Sequence, residues 1–148
     1  YEVSNFSRKG NESRNNLLVW SGKEYLGFGT GAHSFYERTR KANIGSVKTY
    51  ISYLKKDTLP FEFEEKLSNT QLALEFLMLG LRGSKGLNLK GWVERFGLKW
   101  GPREEKYVYS LYRQGHALKK NNNFCLTPKG MLVADRITVE MMPSNISH

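Results

Sequence analysis

The 148 residues leave room for one domain, or for one small domain with part of another. The lone cysteine, Cys125, excludes an intrachain disulfide and a thiolate metal set, and His33, His116 and His148 are too scattered for a zinc site. The net charge of +9 is spread as +4 over residues 1–50, +2 over 51–102 and +3 over 103–148, so no basic arm is present, yet the diffuse excess favours anionic partners, nucleic acid or a small polycarboxylate.

Tyr1–Phe6 alternates apolar with polar residues and predicts a strand. It starts without a lead-in, as if the chain were cut inside a larger domain. Ser7–Asn16 is polar and predicts a loop, and Leu17–Trp20 is a short apolar run before the turn at Ser21-Gly22. Tyr25–Ser34 reads YLGFGTGAHS. Tyr25, Leu26 and Phe28 favour a strand, and Gly27, Gly29 and Gly31 strip one of its faces. Such a strand admits a ligand or another backbone at close range. Its far end, with Ala32, His33 and Ser34, is expected to face a binding site; a glycine strand packed tightly in a core is the plainer alternative. Gly27, Gly29 and Ala32 also match G-x-G-x-x-A, but neither the following helix nor the acidic residue of a dinucleotide site is in place.

Arg38–Gly45 reads as a basic connector. Ser46 then caps a helix whose apolar stripe is Val47, Tyr50, Ile51 and Leu54, ended by Asp57–Pro60. Phe61–Leu67 is a short mixed segment. Ser68–Arg82, capped at Ser68 or Asn69, is apolar nearly all round and should be central in its domain. Its charged residues past the first turn, Glu75 and Arg82, call for ion-pair partners on neighbouring elements. Leu87–Phe96 gives a short helix with Leu89, Trp92, Val93 and Phe96 on one face, closed by Gly97. Pro102 starts the next helix, through Gln114, with Tyr107, Val108, Leu111 and Tyr112 inward. His116–Lys120 and Phe124–Thr127 form a hairpin around Asn121–Asn123, and Cys125 within it reads as a buried thiol. Thr127–Gly130 opens a last helix with Met131, Leu132, Ile137 and Val139 as its apolar residues, and the tail from Pro143 is expected to fray. No run is apolar enough to cross a membrane and no signal-peptide pattern is visible, which predicts a cytoplasmic location.

The order helix, helix, hairpin, helix from Leu87 onward resembles a winged helix. A nucleic-acid- or protein-binding module is therefore one reading, with Lys119, Lys120 and Asn121 as a wing tip on phosphate. Glu104 and Glu105, in the first turn of the helix that would enter the groove, argue against nucleic acid. They are ordinary residues for a structural helix N-terminus.

Five stretches carry a second resemblance: YEVSNF (Tyr1–Phe6), ESRNNLLVW (Glu12–Trp20), YLGFGTGAHSF (Tyr25–Phe35), EFLMLGLRGSKGLNL (Glu75–Leu89) and LTPKGMLVADRI (Leu126–Ile137). Together they are similar to the C-terminal part of the oxygen-independent coproporphyrinogen III oxidase-like proteins of the radical S-adenosylmethionine superfamily, and more narrowly to the branch regarded as heme chaperones. The resemblance implies an α+β chain: residues 1–45 as the remnant of the last strands of a partial (β/α) barrel, and residues 46–148 as a mainly helical domain ending in a winged-helix-like unit. It implies S-adenosylmethionine and a [4Fe-4S] cluster in the full-length protein, and porphyrin or heme as partner. The cluster motif of the family lies far upstream, and one cysteine cannot replace it, so neither cofactor nor activity is expected of these residues alone.

By the same resemblance, Gly29, Gly31, Ala32 and His33 border the S-adenosylmethionine or substrate pocket at the C-terminal face of the barrel. The chaperone branch carries His-Asn-x-x-Tyr-Trp, which here is Asn15-Asn16-Leu17-Leu18-Val19-Trp20. An amide is a poor iron ligand beside imidazole, so axial ligation at Asn15 is not expected. Asn16 and Trp20 remain as substrate- or heme-binding candidates; the alternative is that they pack a loop on the barrel rim. The appended domain is expected to cover the barrel mouth, where its positive charge suits porphyrin carboxylates. Strands at Tyr1–Phe6 and Tyr25–Thr30 would lack their barrel neighbours, so residues 1–36 are expected to be disordered or paired with another copy.

Overall fold

The computed structural model describes residues 1–2 and 4–143. The described residues form helices α1 (Arg14–Trp20), α2 (Val47–Leu54), α3 (Asn69–Arg82), α4 (Leu89–Phe96), α5 (Pro102–Arg113), α6 (Pro128–Met131) and α7 (Ala134–Met141), with strands β1 (His33–Tyr36) and β2 (Thr39–Asn43) between α1 and α2, β3 (Phe61–Lys66) between α2 and α3, and β4 (Ala117–Lys120) and β5 (Asn123–Leu126) between α5 and α6. The class is α+β, as expected. The chain forms two compact units, Tyr1–Ser21 with Asn69–His148, and Gly22–Ser68.

The Gly22–Ser68 unit is an antiparallel sheet in the order β1-β2-β3 with α2. β1 and β2 are joined by Glu37 and Arg38, whose φ of +47° and +62° make a tight turn without glycine. β2 and β3 were expected as a connector and a mixed segment; both are strands. Their basic and acidic residues face one another, Arg40 opposite Glu65 and Lys41 opposite Glu64, with Lys41 Nζ 3.2 Å from the Glu64 carboxylate. Opposite charges directly across a ladder support the pairing that the composition hides. Ser46 caps α2 as expected, accepting from the Thr49 amide.

In the other unit α3 is central. Ala73, Leu77 and Leu81 are fully buried along one face, against a core that includes Trp92, Leu111, Phe124, Ile137 and Met141. Trp92 Nε1 donates to the Ala73 carbonyl at 2.9 Å, so the indole is both buried and satisfied. Asn88 caps α4 through Gly91, and Gly97 ends it at φ +60°. Pro102 opens α5, and the buried Glu104 carboxylate accepts from the Gly101 amide at 2.9 Å. The β4–β5 hairpin turns on Asn121 and Asn122, at φ +48° and +63°. Arg82 finds its partner in Glu2 at 2.9 Å.

Three expectations change here. The described residues of Tyr1–Phe6 form no strand; Glu2 makes isolated bridges to Asn5 and Gly83. The loop and apolar run before Ser21 contain α1, capped by Ser13 on the Asn16 amide. The last helix is two, α6 and α7, separated at Leu132-Val133. That break shifts the phase, so Leu132 and Val139 are exposed while Ile137 and Met141 are buried. Cys125 is buried as expected, and burial pushes its thiol pKa up. Pro143 is buried; the rest of the tail lies outside the described residues.

Candidate functional site

The glycine run is not a strand. Tyr25 pairs with Phe35 in one antiparallel bridge, its amide donating at 2.8 Å and its carbonyl accepting at 2.9 Å, and the residues between loop out and return. The alternate glycines do separate jobs. A Cβ on Gly27 would lie 2.2 Å from the His33 carbonyl oxygen, so this position is small because two backbones meet there. Gly29 and Gly31 hold φ of +97° and +65°, which side chains resist.

Polar side chains hold the loop. The buried Ser34 hydroxyl accepts from the Gly27 amide at 3.0 Å. Asn43, also buried, donates Nδ2 to the Gly29 carbonyl at 2.8 Å and its amide to the Ala32 carbonyl at 2.9 Å. The Gly31 amide donates to Ile44 at 3.2 Å. The outward side is open: nothing lies within 4 Å of a Cβ built on Gly29, and on Gly31 the nearest atom is the Gly45 Cα at 4.0 Å. Gly29, Gly31 and Ala32 thus sit on one loop, and the exposed His33 opens β1 directly after it. Asn43 escapes a reading of the sequence, since an asparagine in a basic stretch carries no signal by itself.

Asn16 and Trp20 lie in the other unit, one turn apart on α1. The Trp20 ring packs on Tyr1, with centroids 5.9 Å apart. It lines a cleft of about 260 Å³ with Leu17, Phe76, Leu79 and Leu87, where Lys85 and Glu12 supply charge. Amide donors at Glu12 and Gly10, with Lys85 nearby, hold the Glu12 carboxyl below its usual range. The Asn16 amide serves the helix cap, and its residue is not among those lining the cleft.

The open glycine loop fits a ligand that lies against backbone, as S-adenosylmethionine would. An iron–sulfur cluster does not fit the residues present: among the described residues no group of three or more His, Cys, Asp or Glu side chains is placed to hold a metal ion, and Cys125 is buried. No helix among the described residues is long and apolar enough to cross a membrane.

Residues 67–133 match the model of the HemN C-terminal domain. The chain is 31% identical over 137 residues to the heme chaperone HemW of Bacillus subtilis, covering 93% of this chain and 36% of that protein. It is 33% identical over 137 residues to the heme chaperone HemW of Mycobacterium tuberculosis, covering 93% and 33%. Over 155 residues it is 30% identical to the mitochondrial radical S-adenosyl methionine domain-containing protein 1 of Mus musculus, covering 97% and 35%. It thus spans about a third of the length of these relatives. Among solved structures, the coproporphyrinogen III oxidase HemN of Escherichia coli, a radical SAM enzyme, is similar in fold at a TM-score of 0.61 and 16% identity, over 80% of this chain and 28% of that one. With a HemN C-terminal domain at residues 67–133 and a HemN-like fold over four fifths of its length, the chain corresponds to the C-terminal part of a HemN-like protein.

Proposed function

We propose that this chain is the C-terminal region of a radical S-adenosylmethionine protein that acts in heme biosynthesis or heme delivery in the cytoplasm. Residues 1–45 complete a partial barrel, and residues 46–148 form the appended domain that helps to hold a porphyrin or heme. One observation carries the reading: 93% of the chain aligns with heme chaperones of two organisms at 31% and 33% identity.

When bound, S-adenosylmethionine and a cluster held by residues outside this chain supply radical chemistry. Within this chain, Gly29 and Gly31 let the cofactor approach the main chain, and His33 offers an imidazole at the edge of the loop. Trp20 offers an apolar ring to a planar macrocycle, and Lys85 a cation to its carboxylate. At about 260 Å³ the cleft lies below the range that encloses a drug-sized ligand, so it receives an edge of the tetrapyrrole. Asn15 supplies no imidazole to the iron. Spectrophotometric titration of the full-length protein with hemin tests the reading: saturable binding is expected, and a purely linear, non-saturating response rejects it.

A second reading has its own support. After α4, helix α5 and the β4–β5 hairpin follow in the order of a winged helix, and Lys106, Tyr109 and Arg113 fall at i, i+3 and i+7 on α5 with all three exposed. Glu104 is buried in the helix cap, which leaves Glu105 as the exposed acid of that turn. Nucleic-acid affinity falling steeply with salt would favour this module; no binding at low salt removes it. Self-association, expected from the sequence through strands at Tyr1–Phe6 and Tyr25–Thr30, would instead use the sheet edges at β1 or β3. Sedimentation over a concentration series reads it as a rising mass.

A further inference from the structure

Asn43 sits where the β2–β3 register breaks. Ala42 faces Phe63 and Asn43 faces Phe61, so Glu62 is the extra residue on β3. A bulge of this kind re-aims the side chains beside it. Asn43 is 7% exposed, and both its Nδ2 and its amide are directed at the glycine loop. They bind the carbonyls of Gly29 and Ala32, which flank Gly31, while the Gly31 amide reaches the next residue, Ile44. Three hydrogen bonds, two donated by Asn43 and one accepted by the Ile44 carbonyl, therefore set the course of Gly29–Ala32. With those carbonyls occupied on the β2 side, the open positions at Gly29 and Gly31 are left for a ligand.

We propose that Asn43 is the positioning residue of the cofactor loop: its two bonds to Gly29 and Ala32 hold the backbone in the shape that receives S-adenosylmethionine. This rests on the reading that Gly29, Gly31, Ala32 and His33 border that cofactor. A carboxamide is suited to the task because it donates without carrying charge, and at this buried position a carboxylate would face the Gly29 carbonyl with an acceptor. Ser34 does the complementary work at the other end of the loop, through the Gly27 amide. Asn43 touches the loop rather than the reacting atoms, so its role is indirect.

The test uses the full-length protein as wild type, Asn43→Asp, Asn43→Ala and Gly31→Val. Three quantities are read: S-adenosylmethionine affinity by equilibrium dialysis, hydrogen exchange of the peptide spanning residues 27–33, and hemin affinity, with a thermal melt to confirm folding. The expected result is at least tenfold weaker S-adenosylmethionine binding and at least tenfold faster exchange in both Asn43 variants, with hemin affinity unchanged. A merely structural asparagine would change the melt or the exchange and leave cofactor affinity alone. If Gly31→Val weakens cofactor binding while the Asn43 variants keep wild-type affinity, the Asn43 role is overturned and the cofactor-border reading stands. If neither Gly31→Val nor the Asn43 variants alter cofactor affinity although exchange accelerates, the border reading itself falls, and the positioning role with it. Should Asn43→Asp fail to fold, Asn43→Ala, which introduces no opposing charge, decides the matter by the same readings.

Discussion

Gly27 and Gly45 separate two reasons for a glycine. A Cβ at Gly27 would collide with the backbone at His33, whereas one at Gly45 meets nothing within 4 Å. Gly27→Ala should therefore cost about 1–3 kcal/mol through forced backbone shifts, while Gly45→Ala stays within about 0.5 kcal/mol. Chemical denaturation of the two variants checks the order. Glu104 gives a prediction in pH. Burial alone would raise its pKa, but the Gly101 amide, its own amide and Arg103 outweigh that and hold it below the usual carboxylate range. A depressed folded pKa gives stability that is present above the unfolded value and lost as pH falls through the folded one. Stability should accordingly drop on acidification below the ordinary glutamate pKa of about 4.3, and Glu104→Gln should be less stable at neutral pH with a shallower acid slope. An unchanged slope would remove Glu104 from the account. At this scale the sequence announced that the glycine run was special. It could not say that the three glycines do different jobs, because a close approach and a positive φ leave the same letter.

Among the elements, those announced by caps and period were readable. Ser46, Gly97 and Pro102 mark helix ends by hydrogen bonds or dihedrals that few other residues supply, and the structure uses them as such. The asparagine turn was readable for the same reason. Because Asn122 sits at φ +63°, Asn122→Gly should stabilise the hairpin by roughly 0.5–1 kcal/mol, seen as a higher denaturation midpoint. Leu77, fully buried on α3, should cost about 2–5 kcal/mol when cut to alanine, with cooperative unfolding retained. What escaped were β2, β3 and α1. β2 and β3 pair through charges on opposite strands, so neither looks like a strand until its partner is known. α1 begins inside a polar stretch, and the Ser13 cap that starts it is one serine among polar neighbours.

On the scale of the molecule, the amino-acid pattern carried the relationship to HemN-like proteins better than it carried the fold. The motif stretches pointed to the family, and the family match over residues 67–133 agrees. The same motifs suggested barrel strands at Tyr1–Phe6 and Tyr25–Thr30, where this chain makes isolated bridges and a loop. A strand needs a neighbour to bond, and a motif does not say which neighbour is present. In the proposed function, Trp20 at the cleft with Phe76, Leu79 and Leu87 is the ring that meets the tetrapyrrole. Its most direct test is a hemin titration of the full-length protein beside Trp20→Ala, with folding checked by circular dichroism. Trp20→Ala is expected to bind hemin about fivefold or more weakly, the equivalent of about 1 kcal/mol for an aromatic contact. A Trp20→Ala protein that is folded and binds hemin as tightly as the wild type would contradict it.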